Sequence, residues 1–132
     1  MATFVLVHGA FHGAWCWVKL VPELEARGHR AVAFDLPAQG EDRTPVELCS
    51  LEGNAGRIAE VVAAESEPVI LVGHSLGGIS IAAAAERVPG HIRRLVYLCA
   101  FLPRDGDSIA SLSASPAAKK ESGPKAFARS AD

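Results

Sequence analysis

The chain has few basic residues and no basic cluster. Its 132 residues carry a formal net charge of −2 at pH 7, and no run of lysine or arginine exceeds the length of Lys119-Lys120. Proteins that track a nucleic-acid backbone present a positively charged stripe. We therefore expect no nucleic-acid partner.

Cysteine is scarce as well. The three cysteines, Cys16, Cys49 and Cys99, are odd in number, far apart and free of any CxxC pairing. That spacing excludes a disulfide framework and a zinc site built from cysteines. It favours a reducing compartment, and we expect a cytoplasmic protein.

Long apolar segments are missing too. The N-terminal stretch MATFVLVHG lacks the basic and hydrophobic regions of a signal peptide. The longest apolar window, residues 69–85, is interrupted by glycine, histidine and serine, which argues against a bilayer span. We expect no membrane association.

Four short apolar runs recur along the chain: Phe4–Val7, Ala31–Phe34, Val69–Val72 and Leu95–Cys99. They are continuous rather than alternating, which is typical of parallel strands buried on both faces. Helical patterns at residues 17–27, 51–64 and 76–87 separate them. The alternation predicts an α/β fold, a doubly wound and mostly parallel sheet of about four strands with flanking helices.

The composition changes towards the C-terminus. Residues 108–132 contain serine, alanine, lysine and proline with little periodicity. We assign residues 1–107 to one partial core. Residues 108–132 are predicted to be a disordered tail or the remnant of a further segment.

One motif carries chemistry. Gly73-His74-Ser75-Leu76-Gly77 fits G-x-S-x-G, the turn that exposes a serine between a buried strand and a helix. Glycine is expected at positions 73 and 77 because this turn brings backbone segments close together, and a side chain there would collide with the neighbouring strand or helix. The alternative is that Ser75 is only a turn residue, but the strand before it and the helix after it favour a nucleophile.

The same turn predicts an oxyanion hole. The N–H groups at the start of a helix favour a negative charge, so the Leu76 N–H is one candidate donor. The loop His8-Gly9-Ala10 follows the first strand and offers the Ala10 N–H as the second. We expect His8, Gly9 and His74 to support these two loops.

A metal site is the competing interpretation of this loop. His8 and His12 are four residues apart, but the segment is rich in glycine and has no HExxH pattern. We therefore predict no metal, and we expect His8 to hold the loop by hydrogen bonds. Trp15 and Trp17 are predicted to be core or pocket-wall residues.

Four stretches together resemble the α/β-hydrolase superfamily, in the branch of small methyl-ester hydrolases and hydroxynitrile lyases. They are FVLVHGAFHGAWCW (4–17), GHRAVAFDLPAQG (28–40), VILVGHSLGG (69–78) and LVYLCAFLP (95–103). The resemblance implies a serine esterase without a cofactor, with Ser75 as nucleophile and Ala10 and Leu76 as oxyanion donors. The lyase branch typically has threonine at the position of Gly9 and cysteine at that of Leu76, so both residues favour hydrolysis of a small-molecule ester.

The resemblance also implies parts that the chain lacks. Family members continue with a cap, further strands, a catalytic acid and a late histidine that activates the serine. No histidine here follows a late strand, and His91 is expected at the opposite edge from Ser75. Asp105 and Asp107 follow the last strand and are candidates for the acid.

Three hypotheses follow. The chain is the N-terminal part of a truncated esterase, a non-catalytic binding module derived from a hydrolase, or one half of an assembly whose partner donates the histidine. Truncation would leave Leu95–Cys99 as an apolar edge that later strands normally cover, so self-association through that edge is expected.

Overall fold

The computed structural model describes residues 1–114. Its centre is a four-stranded, fully parallel sheet made of β1 (Thr3–Val7), β2 (Arg30–Ala33), β3 (Val69–His74) and β4 (Ile92–Leu98). The strand order is β2-β1-β3-β4. The predicted α/β class with a doubly wound parallel sheet is confirmed.

The helices are α1 (Leu20–Ala26), α2 (Leu51–Ala63), α3 (Gly77–Arg87) and α4 (Ile109–Ser113). The helix α2 begins where predicted, because the Ser50 side chain accepts a hydrogen bond from the Gly53 N–H at 2.9 Å. The first predicted helix is shorter than expected: residues Ala14–Trp17 form a separate 3₁₀ turn before α1. Pro22 lies in the first turn of α1, where its missing N–H does no harm.

The central strand β1 separates two apolar cores. Val5 and Val7 face α2 and α3, and they pack in a cluster that includes Ile58 and Ile81. Leu6 points to the other face, where Trp17 and α1 cover it. A strand buried on both faces has apolar residues throughout, which explains the continuous run in the sequence.

The strand β4 departs from the expected burial. It begins at Ile92, three residues before the predicted run, and Leu95, Val96 and Leu98 are 36%, 39% and 42% exposed. The expectation that this run is buried on both faces is wrong, because β4 is the edge strand and α1 lies against β2 at the other edge. An apolar sequence alone does not separate a central strand from an uncovered edge strand.

The chain divides into two compact units, Met1–Leu102 and Pro103–Asp132. In the second unit the structure describes residues 103–114, where Ser108 caps α4 by a reciprocal pair of hydrogen bonds with Ser111. Asp107 accepts a hydrogen bond from the Arg104 N–H. The rest of the predicted tail, residues 115–132, lies outside the described residues.

Candidate active site

Ser75 lies at a sharp turn between β3 and α3. Its φ angle is +54°, a left-handed conformation that is uncommon for a residue with a side chain. The turn is closed by the Gly78 N–H, which donates to the Ser75 carbonyl at 3.1 Å. The Phe101 N–H donates to the same oxygen at 3.2 Å, so the segment after β4 is tied to this turn.

The glycines around Ser75 permit close backbone contacts. A Cβ atom at Gly73 would lie 2.7 Å from the Gly77 carbonyl oxygen, and a Cβ at Gly77 would lie 2.8 Å from that of Val7. At Gly9 a Cβ would lie 3.0 Å from the Cβ of Ser75. The loop after β1, residues 8–14 (the β1 loop), is therefore in contact with the serine turn. A larger residue at Gly9, Gly73 or Gly77 would require the neighbouring atoms to shift.

Two backbone N–H groups flank the serine without a backbone acceptor. Within residues 1–114, neither the Ala10 nor the Leu76 N–H donates to a carbonyl oxygen, whereas the Ile79 N–H bonds to the Leu76 carbonyl. Ala10 and Leu76 line the same depression, which has a volume of about 480 Å³. Unpaired donors at the start of a helix and in a neighbouring loop suit an anion.

His8 is completely buried under the β1 loop. Its Nε2 accepts from the Leu36 N–H at 3.0 Å, so its Nδ1 carries the proton and donates to the Gly9 carbonyl at 2.8 Å. Burial lowers the pKa of His8 below the usual 6.5, against the opposing effects of the Gly9 carbonyl and Asp35. The neutral imidazole therefore links β1 to the segment after β2.

Asp35 holds two loops together, and the sequence analysis missed it. Its carboxylate accepts from the Ala14 N–H at 2.7 Å and from the Glu41 N–H at 3.0 Å. A Cβ at Gly13 would lie 2.8 Å from the Asp35 Oδ1. Asp35 follows the carboxyl end of β2, and Ser75 follows the carboxyl end of β3, so both lie at the same end of the parallel strands. This position in the sequence is the signal that would have identified Asp35.

The loop after Asp35 is more ordered than its composition indicates. Asp42 accepts from the Ala38 and Thr44 N–H groups and pairs with Arg57 of α2 at 3.1 Å. Hydrogen bonds from Thr44 and Ala38 hold the pKa of Asp42 well below its usual range. This loop forms one wall of the 480 Å³ depression through Ala38, Gln39 and Gly40.

A second depression, of about 420 Å³, lies between the loop after β1 and the ends of β3 and β4. Its lining residues are His12, Trp15, Cys16, Trp17, His74 and Leu98. The ring centroids of His12 and His74 are 5.9 Å apart, and those of Trp17 and His74 are 6.4 Å apart. Burial raises the pKa of the Cys16 thiol, which keeps it protonated and a poor nucleophile.

The remaining histidines lie away from the serine. His91 precedes β4, and the pairing of Val69 with Ile92 places it at the opposite end of β3 from Ser75. His29 accepts from the Ala2 N–H near the start of β1. Within residues 1–114, no histidine is hydrogen-bonded to the Ser75 hydroxyl.

A depression of about 840 Å³ also lies at that opposite end, and Thr3, Arg30, Ile92 and Arg93 are among its lining residues. It contains none of the predicted site residues. Within the described residues no three histidine, cysteine or acidic side chains come together to hold a metal ion.

The fold and the serine turn define an α/β hydrolase. The chain belongs to the alpha/beta hydrolase family, whose model matches residues 4–131. Methylesterase 2 from Arabidopsis thaliana is 45% identical over 104 residues, which cover 76% of this chain and 40% of that protein. Alpha-hydroxynitrile lyase from the same plant is 48% identical over 103 residues, with the same two coverages.

Solved structures place the chain in the same branch. Polyneuridine aldehyde esterase matches with a TM-score of 0.77 and 37% identity, over 85% of this chain and 45% of that one. The predicted resemblance to esterases and hydroxynitrile lyases is confirmed. The chain spans about 40% of the length of the curated relatives it matches.

No helix among the described residues is long and apolar enough to cross a bilayer.

Proposed function

We propose that the protein is a serine carboxylic-ester hydrolase with Ser75 as its nucleophile. The Ser75 hydroxyl would attack the ester carbonyl carbon, and the Ala10 and Leu76 N–H groups would hold the oxygen that becomes negative. Collapse of this intermediate breaks the bond to the alcohol, and water then releases the acid from Ser75.

The observation that carries the proposal is the backbone of Ser75. A φ of +54° costs free energy at a non-glycine residue, and a serine that only made a turn would gain nothing from it. The proposal is supported further by Leu76, which follows Ser75 directly and lines one depression together with Ala10. His8, Gly9, Gly73, His74 and Gly77 support this geometry in the proposal.

The proposed reaction also needs a group that accepts the proton of the Ser75 hydroxyl. A serine without a base is a weak nucleophile, and no histidine within residues 1–114 bonds to Ser75. We propose that the base and acid come from sequence corresponding to the part of the relatives that this chain does not span, or from a partner chain. The second candidate function is a binding module that does not catalyse. It is favoured by the finding that no histidine within residues 1–114 bonds to Ser75.

The reaction proposed is hydrolysis rather than cyanohydrin cleavage. Both kinds of relative match this chain, since one is named a methylesterase and another a hydroxynitrile lyase. Gly9 and Leu76 differ from the threonine and cysteine that the resemblance associates with the lyase branch. Methyl or short-chain esters are the proposed substrates, and no cofactor is required.

Acylation by p-nitrophenyl acetate tests the nucleophile, because it needs one attack rather than a full cycle. Mass spectrometry of the digested protein should find the acetyl group on Ser75. Ser75→Ala should lose it, and the control Ser66→Ala should not. Acetylation spread over surface residues, with Ser75 unmodified, would favour the binding module.

We also propose that copies associate through β4. Within residues 1–114, β4 pairs only with β3, and Leu95, Val96 and Leu98 are exposed along this edge strand. The cytoplasmic location stays a prediction that rests on the three cysteines.

A further inference from the structure

Gln39 has a fixed backbone position in the wall of the 480 Å³ depression. Its N–H donates to the Leu36 carbonyl at 3.1 Å, and its own carbonyl accepts from the Asp42 N–H at 3.0 Å. The residues on either side, Ala38 and Gly40, are both left-handed, with φ angles of +61° and +59°. Ala38 keeps this conformation although it carries a side chain. The backbone that carries the Gln39 side chain is therefore positioned before any ligand arrives.

The Gln39 side chain itself makes no hydrogen bond within residues 1–114. It is half-buried, and its carboxamide can both donate and accept hydrogen bonds. Other polar atoms of the lining are occupied or hidden, since the Cys49 thiol donates to the Pro37 carbonyl at 3.2 Å and the His12 Nδ1 is buried. The Gln39 amide is therefore a polar group that a bound molecule can engage.

The rest of the lining is uncharged and mostly apolar. No lysine, arginine, aspartate or glutamate is among the described residues that line this depression, and its apolar walls are Ala10, Phe11, Trp15, Val46 and Leu76. A charged substituent would lose hydration here without gaining a counter-charge. A neutral hydroxyl or carbonyl oxygen would exchange its water for a hydrogen bond to an amide. The lining therefore favours a molecule that is apolar apart from neutral oxygen-bearing groups.

We propose that Gln39 is a specificity-determining residue: it recognises a hydroxyl or carbonyl oxygen that the substrate carries in addition to its ester group. The proposal rests on the proposed function, because Ala10 and Leu76 line the same depression and would hold the ester carbonyl oxygen. The Gln39 amide donates to the second oxygen, or accepts from its hydroxyl. Either the acid part or the alcohol part of the ester can carry that oxygen.

Binding is measured in Ser75→Ala, which cannot be acylated at this position, so the result does not depend on the nucleophile. Two pairs of esters each differ by one hydroxyl. Methyl 3-hydroxybutyrate and methyl butyrate vary the acid part, whereas 2-hydroxyethyl butyrate and ethyl butyrate vary the alcohol part. Gln39 is the one glutamine of the chain, so its side-chain amide is readily assigned in ¹H–¹⁵N spectra. The hydroxylated ester of one pair should shift that resonance to saturation, and this pair identifies the part that faces Gln39.

Gln39→Leu keeps a side chain of similar size but removes the amide. The preference for the hydroxylated ester is the ratio of the two dissociation constants in the responding pair. This ratio should be about 2- to 10-fold smaller in Gln39→Leu, which corresponds to the loss of one hydrogen bond. Val46→Ala removes an apolar contact from the same lining, so it should weaken both esters alike and leave the ratio unchanged.

Two results would overturn the proposal. One is a Gln39 amide resonance that no ester shifts, a measurement that does not depend on whether Gln39→Leu folds. The other is a preference for the hydroxylated ester that is the same with and without the Gln39 amide. Monomethyl succinate, which carries a carboxylate, should bind more weakly than methyl 3-hydroxybutyrate; equal binding would contradict the selection of a neutral group.

Acylation separates this proposal from the proposed function. In the chain that retains Ser75, p-nitrophenyl butyrate should acylate that serine. If Ser75 is never acylated, the proposed function fails, while the titrations still decide whether Gln39 recognises the second oxygen. If Ser75 is acylated but the titrations show no effect of the Gln39 amide, the serine keeps its proposed role and Gln39 does not select the substrate.

Discussion

The Leu36 N–H donates to Nε2 of the fully buried His8 at 3.0 Å, across 28 residues of sequence. This bond fixes the tautomer of His8 and so directs its Nδ1–H to the Gly9 carbonyl. The loop that carries the Ala10 N–H is thus positioned from inside the protein, by a histidine that has no free nitrogen for catalysis.

Replacement of His8 should therefore destabilise the fold. His8→Ala leaves a cavity and an unsatisfied Leu36 N–H, and we expect the free energy of unfolding to fall by about 2–4 kcal/mol. Urea denaturation measures the change. His91→Ala, at an exposed position, is the control and should cost less than about 0.5 kcal/mol; equal losses in the two variants would contradict this account.

Stability should also depend on pH through His8. Its pKa is lowered in the folded state, so the unfolded chain binds a proton more readily and stability rises with pH in this range. The contribution is complete above about pH 6.5 and is lost as the pH falls from there towards the folded-state pKa. Denaturation at pH 7 and pH 5 should show a larger loss for the wild type than for His8→Gln. If the wild type and His8→Gln lose equal amounts of stability between pH 7 and pH 5, His8 does not cause the pH dependence.

The serine turn should reject any side chain at Gly73. A Cβ there would meet the Gly77 carbonyl at 2.7 Å, so Gly73→Ala should destabilise by about 3 kcal/mol or more, or prevent folding. Gly90 has open space around it, and Gly90→Ala should be near neutral. Thermal melting of the two variants compares them, and similar melting temperatures would refute the close contact.

Asp35 should couple the two loops around the depression. In Asp35→Asn the amide nitrogen or oxygen cannot replace both carboxylate acceptors, so amide exchange should speed up near Ala14 and Glu41 together. Asp42→Asn is the matched control and should affect residues 38–44 and the vicinity of Arg57, but not Ala14. Hydrogen exchange followed by mass spectrometry separates these segments; a change near Glu41 alone would show that Asp35 does not hold the β1 loop.

Association through β4 should be sensitive to charge on that strand. Val96→Lys adds a positive charge to an exposed apolar edge, which opposes pairing between copies. We expect the sedimentation coefficient to rise with concentration for the wild type and to stay constant for Val96→Lys. Val18→Lys, at a 70% exposed position outside β4, should behave like the wild type. A wild type that stays monomeric would exclude the interface.

The sequence predicted the parts that depend on local patterns. The strand before Ser75, the helix after it and the glycines between them follow from spacing and composition. The exposed edge at β4 was predicted only from the parts that the resemblance implies and the chain lacks, because the strand's own residues fit a buried strand equally well. Asp35 did not stand out, since its contacts with Ala14 and Glu41 join loops that are distant in sequence and an aspartate is ordinary at a surface.

The hydrogen bond from the Phe101 N–H to the Ser75 carbonyl joins the serine turn directly to the segment that follows β4. A strand that adds to β4 therefore acts on the same few atoms that set the φ angle of Ser75. By thermodynamic linkage, if a strand paired with β4 changes the affinity of the turn for a ligand, that ligand changes the affinity of β4 for the strand by the same factor.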